Sequence, residues 1–263
     1  MKFEHLSFFK RLKSMLVVDF RRMFTMPLLY IMLGTSFVIP VLVIVMTSMF
    51  DGTTSVNPQT GVETTMEGFE NTWQGIASLS NAGMSMDLTS MCNINLVFFM
   101  LAVLVCIFVA ADFRSGYVKN LFAVRAKKTD YVISKSVVGF IGGALMLICY
   151  FVGTMIAGAI SGLSFDPGVA GMSGVVMCML AKLCLIAVFA PIYLLMSIIA
   201  KDKLWLSLVL SLGGSMMLFA MIPMLTPLDS TITNVLMCLI GGAFFNVGLG
   251  AISNQILKKK NIL

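Results

Sequence analysis

Charge is what this chain has least of. Lys, Arg, Asp and Glu make up 11% of its 263 residues, where a soluble domain carries about 25%. So little charge cannot cover a water-facing surface, and a soluble globular domain is excluded. Histidine is almost missing as well. The single one, His5, lies outside every long apolar run, which rules out H-E-x-x-H and other intramembrane zinc patterns. No Asp or Glu falls deep inside an apolar run, so a carboxylate-pair protease at membrane depth is excluded. Serine chemistry needs a base, and Lys182 is the lone cationic group at that depth. No G-x-x-x-x-G-K-[ST] stretch is present, so the chain has no P-loop for nucleotide. The six cysteines (Cys92, Cys106, Cys149, Cys178, Cys184 and Cys238) include no C-x-x-C pair and read as small apolar packing residues. These absences predict a chain that is no enzyme, with no catalytic residues, no metal site and no bound cofactor.

What is present is apolar: 59% of residues are hydrophobic and the mean hydropathy is +0.97. A transmembrane helix needs about 20 mostly apolar residues, and six stretches qualify. They run from about Pro27 to Phe50, Ile94 to Ala111, Val137 to Ile160, Val175 to Ala200, Leu204 to Leu225 and Asn234 to Leu257. The expected fold class is an all-α integral membrane protein of six spans. Residues 1–26 precede them, 27–257 form the membrane domain, and 258–263 are a basic tail.

Orientation follows from Lys and Arg in the connections. Seventeen of the eighteen basic residues fall on one side of a six-span chain: the N-terminal segment, the link from Asp112 to Lys135, Lys201 and Lys203, and Lys258 to Lys260. The opposite loops hold Asp51, Glu63, Glu67, Glu70, Asp87, Asp166 and Asp229 and no basic residue. An odd number of spans would destroy this segregation. Both termini are expected in the cytoplasm of a cell-membrane protein, with span one as a retained signal-anchor. The net charge of +6 is thereby explained by topology, so nucleic acid is not an expected partner.

The remaining basic residue, Lys182, sits inside span four. The favoured reading starts the span proper near Lys182, because Leu183 to Ala200 nearly crosses a bilayer, and lets the ammonium snorkel to the outer headgroups. The alternative is a functional intramembrane charge. Asn246 in span six is the second intramembrane polar candidate.

Three connecting segments carry pattern. Before span one, Leu6, Phe9, Leu12, Leu16 and Phe20 recur at spacings of three and four among Lys10, Arg11 and Lys13, which predicts an amphipathic helix lying on membrane lipid at the inner interface. In the 112–135 segment, Tyr117, Val118, Leu121 and Phe122 give a short apolar helical face with Lys119 and Arg125 turned away, a docking surface on the basic side. In the acidic 51–92 loop, Phe69, Trp73, Ile76 and Leu79 suggest a helix resting on the outer leaflet or the outer mouth. Glycines such as Gly139, Gly142, Gly143, Gly153 and Gly158 are expected to let helices pack closely.

No intramembrane carboxylate is available for proton or sodium coupling, so any transport needs an external motor. At this point Asp112, Gly116, Lys119, Arg125 and Lys135 matter together. This order, an acid after span two, then Gly, Lys, a basic stretch and a Lys entering span three, resembles the permease subunits of type-2 ATP-binding-cassette (ABC) transporters. The similarity takes in the whole six-span layout and the helix before span one; Asp112 stands where that family more often has Glu. The resemblance implies a second permease chain, identical or homologous, and separate cytoplasmic ABC ATPase subunits that bind ATP and Mg. It implies an ATPase-coupling segment containing Arg114, Gly116, Tyr117, Lys119, Leu121, Phe122 and Arg125. It implies a path between two permeases lined by spans two and five, and export of a hydrophobic or amphipathic cargo such as an antimicrobial peptide, drug or lipid. Permeases of about this length recur in bacteriocin and lantibiotic export or immunity systems. The link between spans five and six is short for the re-entrant helices that this family often carries there. Two other classes stay open: a self-powered carrier or channel, and a membrane scaffold or sensor.

Overall fold

The computed structural model describes residues 8–56, 63–65, 68–79, 93–123 and 127–259. Eight α-helices are formed by these residues: α1 (Phe8–Thr25), α2 (Pro27–Met49), α3 (Leu96–Arg114), α4 (Tyr117–Ala123), α5 (Lys128–Ser161), α6 (Gly171–Ala200), α7 (Leu204–Leu225) and α8 (Ile232–Lys259). A two-stranded antiparallel ribbon pairs β1 (Thr54–Val56) with β2 (Glu63–Thr65). Six of the helices, α2, α3 and α5 to α8, are long and apolar enough to cross a membrane. The chain is therefore a multi-pass membrane protein by length and composition.

Local chemistry explains the breaks. Pro27 opens α2, where its missing N–H costs nothing. Gly116 separates α3 from α4 at φ +70°, and Gly162 ends α5 at φ +67°, a left-handed backbone that only glycine adopts without a Cβ clash. Pro40, Pro191 and Pro223 lie inside α2, α6 and α7. Membrane helices tolerate such prolines because neighbouring segments satisfy the freed carbonyls. The helix expected from Val137 begins nine residues earlier, at Lys128, so Lys135 stands two turns inside α5 rather than in a loop.

The two most enclosed spans are α3 and α6, and α5 packs against both. Around this centre α2 lies on α5, α8 on α6, and α7 on α3 and α6. Glycine sets the closest approaches, as its placement in the sequence predicts. A Cβ at Gly142 would stand 2.7 Å from Leu104 of α3, one at Gly143 2.7 Å from Ile186 of α6, and one at Gly153 2.5 Å from the Phe37 carbonyl of α2. Helix α7 is seated by hydroxyls at spacing four. Ser207, Ser211 and Ser215 are all buried; Ser207 donates to Ser197 of α6 at 2.8 Å, and Ser211 meets Cys106 of α3 at 3.2 Å.

Contacts define two ends of the bundle. At the terminal end, Arg11 of α1 meets Asp130, Lys128 donates to the Leu257 carbonyl of α8, and Arg114 donates to the Asp202 carbonyl between α6 and α7. At the far end, residues 68–79 cross the bundle as a strap. Trp73 donates from Nε1 to the Phe165 carbonyl at 2.9 Å, Thr72 N–H reaches Ser164, and Asn71 reaches the Asp166 carbonyl. Phe69, Trp73 and Ile76 are buried under it, while Leu79 is exposed. Their apolar spacing thus rests on protein, with Thr72–Gly75 a single 3-10 turn rather than a longer helix.

Candidate functional site

The densest chemistry lies at the terminal end, where three buried charges, Asp19, Asp112 and Lys135, meet a fourth, Arg22, that is partly exposed. Lys135 of α5 places Nζ 2.9 Å from Asp19 Oδ1 of α1 and 2.6 Å from Asp112 Oδ2 of α3. Arg22 of α1 brings Nη2 to 2.6 Å from Asp112 Oδ1. Ser134 donates to Asp19 Oδ2 at 2.6 Å, and Tyr131 donates to Asp112 Oδ2 at 3.2 Å. Asp19 and Asp112 are fully buried and Lys135 nearly so.

Aromatic faces complete the enclosure. Lys135 Nζ lies 3.9 Å from the centre of the Phe108 ring, and the Arg22 guanidinium lies 4.1 Å from that of Tyr117. Cations over π faces gain about 0.5–2 kcal/mol, more as water is excluded. Two acids and two bases make the group neutral, which is how buried charges survive desolvation. Burial works against the charge of Arg22, but the charge and hydrogen bond of Asp112, together with Tyr117 and Asp19, raise the Arg22 pKa. Burial, followed by the Asp19 charge, raises the Tyr117 pKa and keeps its phenol protonated. A separate pair, Arg11 with Asp130 at 3.0 Å, ties α1 to the start of α5.

The elements deliver these groups by periodicity. Met15, Asp19 and Met23 occur every four residues and form the buried stripe of α1. Its exposed residues divide into an apolar set including Phe9, Val17 and Phe24 and a polar set including Lys10, Ser14 and Arg21. Asp112 stands in the last turn of α3, and Gly116 then turns the chain so that α4 returns beneath it.

The residues expected to form a coupling segment are brought together only in part. Arg114 and Lys119 are exposed at the terminal end. Tyr117, Leu121 and Phe122 are half-buried, Val118 is buried, and the Phe122 ring meets that of Tyr131 edge-on at 5.9 Å. The apolar side of α4, read from sequence as a docking face, is thus occupied by its own bundle, because that side completes the cover of the charge cluster. Lys119, Asn120 and Ala123 are left outward. Arg125 lies outside the described residues.

Lys182 corrects another expectation. Gly171–Ala200 is one continuous helix, and Lys182 stands about 27 Å along it from Ala200, a length close to the roughly 30 Å thickness of a hydrocarbon core. Its depth would permit snorkelling, but the side chain is fully buried. It donates to Asn95 Oδ1 at 2.7 Å and Thr226 Oγ1 at 3.0 Å. In this arrangement the ammonium faces the bundle, enclosed by neighbouring helices. Asn246 donates to the Ala187 carbonyl at 2.6 Å and to Gly242 at 2.9 Å, so it fastens α8 to α6.

Sequence reasoning missed Asp19, Asp130, Asn95 and Thr226. Asp19 had a signal, as an acid on the inward stripe of an otherwise basic helix. Asn95 and Thr226 had none, since both are ordinary polar residues at helix ends. Comparison with family models, curated proteins and solved structures finds no match to this chain.

Proposed function

We propose that this protein is the permease subunit of an ABC-type transporter, driven by a separate ATPase that docks on its terminal end. The observation that carries the reading is the charge cluster of Asp19, Arg22, Asp112 and Lys135. It binds the short helix α4, through Tyr117 under Arg22, to α1 and to two membrane spans. A push on the outward residues Lys119 and Asn120 of α4, and on Arg114 at the end of α3, passes into α1, α3 and α5 together, because a buried ion cluster resists being pulled apart. The basic side carries both termini, so α1 lies on the inner leaflet with its apolar set toward lipid and Lys10 and Arg21 toward headgroups.

The cargo in this reading is hydrophobic or amphipathic, and export is the direction. Helix α7 exposes Met216, Met217, Met221 and Met224, a flexible, polarizable surface suited to varied apolar molecules. A second permease chain facing α3 and α7 would complete the path. Lys182 and Asn246 are both engaged by groups of the bundle itself, which weighs against an open ion-coupling site of a self-powered carrier.

The test is purification of the tagged chain from its native membrane in mild detergent, with identification and stoichiometry of co-purifying proteins. A P-loop ATPase at one copy per permease, whose hydrolysis rate changes when Tyr117 is replaced by Asp, is the expected result. A chain that remains folded and purifies without any ATPase overturns the proposal.

A further inference from the structure

The four ion pairs among the described residues all lie at the terminal end. Lys182, at the far end, is the exception to charge pairing: a fully buried ammonium whose hydrogen-bond partners are both neutral oxygens. Such a group is costly unless something offsets its charge. Thr226 caps the C-terminus of α7, and that helix end supplies roughly half a negative charge. Asn95 caps the N-terminus of α3, whose dipole acts in the opposite sense. The site therefore retains an attraction for an anion.

The same ammonium ties three helices together at the far end. It joins the caps of α3 and α7 to α6. One turn further along α6, Cys178 donates to the Thr226 carbonyl at 3.4 Å. Beyond Thr226, Leu228 N–H donates to the Ser78 carbonyl of the strap at 2.9 Å, and Ile94 N–H, beside Asn95, donates to the Gly75 carbonyl at 3.1 Å. The strap thus connects on both sides to the segments that Lys182 grips, and its Trp73 anchors it to the α5–α6 turn.

We propose that Lys182 is an anion-recognition residue, and that a carboxylate or phosphate reaching it at headgroup depth replaces Asn95 and Thr226 and loosens the far end. An ionised acceptor binds an ammonium about twice as strongly as a neutral one, and this gain, set against the anion's own desolvation, favours the exchange. The anion is either an acidic group on an amphipathic cargo or a lipid headgroup; both offer the same oxyanion. Its identification with cargo rests on the transport reading, whereas the recognition itself does not.

Cys178 is a native reporter, being buried in the closed end. The full-length protein is placed in nanodiscs of phosphatidylcholine and treated with a membrane-impermeant maleimide, and modification of Cys178 is followed by site-resolved mass spectrometry. Decanoate is expected to raise the labelling rate about tenfold, the population shift of roughly one charge-assisted hydrogen bond, and decanol to leave it unchanged. A rise with decanoate assigns the site to free amphiphiles. A rise with nanodiscs containing phosphatidylglycerol, without decanoate, assigns it to headgroups. Lys182→Gln should abolish the response and Lys182→Arg retain it. Thr226→Val, which keeps the ammonium and removes one competing acceptor, should show the response at lower decanoate. Labelling insensitive to both anions, equally sensitive in Lys182→Gln, or unshifted in Thr226→Val overturns the proposal. No ATPase takes part, so failure here is distinct from failure to find a motor subunit.

Discussion

Replacing Lys135 by Met tests the terminal cluster most directly. The methionine matches the lysine stem in length and keeps contact with Phe108, but it removes the cation shared by Asp19 and Asp112. Two buried carboxylates would then share Arg22 alone, and Arg22 touches only Asp112. Leaving a buried charge unpaired costs about 3–5 kcal/mol. At roughly 2–4 °C per kcal/mol for a chain of this size, Lys135→Met should lower the melting temperature by about 10 °C. Asp19→Asn alone leaves Lys135 with one partner and a net positive cluster, and should also destabilise. The double variant is neutral again, so it should recover more than half of the combined loss. That coupling is the diagnostic quantity, because independent sites would add. Buried Cys106, Cys178 and Cys238 allow the assay in detergent, with a thiol-reactive fluorophore reporting their exposure on heating. Additive losses, or a Lys135→Met protein melting within about 1 °C of wild type, would refute the claim that these charges act as one unit.

Other expectations come from single contacts. Gly116→Ala should cost about 1–2 kcal/mol, since its φ of +70° brings a Cβ against the next carbonyl although the space around it is open; thermal unfolding measures the loss, and Gly116→Asn should lose less. Gly158→Val should unseat the strap, because a side chain there meets Thr72; in a Trp205→Phe background, Trp73 emission should shift to the red. Ser211→Leu should lift α7 from α3 and speed proteolysis of the 201–203 turn, whereas Ser211→Ala should cost under about 1 kcal/mol, the usual scale of an interhelical hydrogen bond in a membrane.

Much of this architecture is decided by composition and spacing alone. Six apolar runs, each near the length that spans a bilayer, leave the backbone no option but helix, since lipid cannot satisfy free N–H and C=O groups. Leu204–Leu225 is the same in sequence and structure, because charged residues precede it and Pro223 and Pro227 mark its end. The glycines of α5 announce close packing because only hydrogen fits where helices nearly touch. Periodicity cannot tell which neighbour a polar residue will find. Asp19 reads as one acid in a basic helix until α5 brings Lys135 to it across 116 positions. The apolar side of α4 looks like a docking surface until Tyr131 and Arg22 cover it. Lys182 reads as a snorkelling residue because depth is all that a hydropathy profile measures. Whether its ammonium points to headgroups or into the bundle depends on where the ends of α3 and α7 fall, and that is set by the packing of three helices distant in sequence.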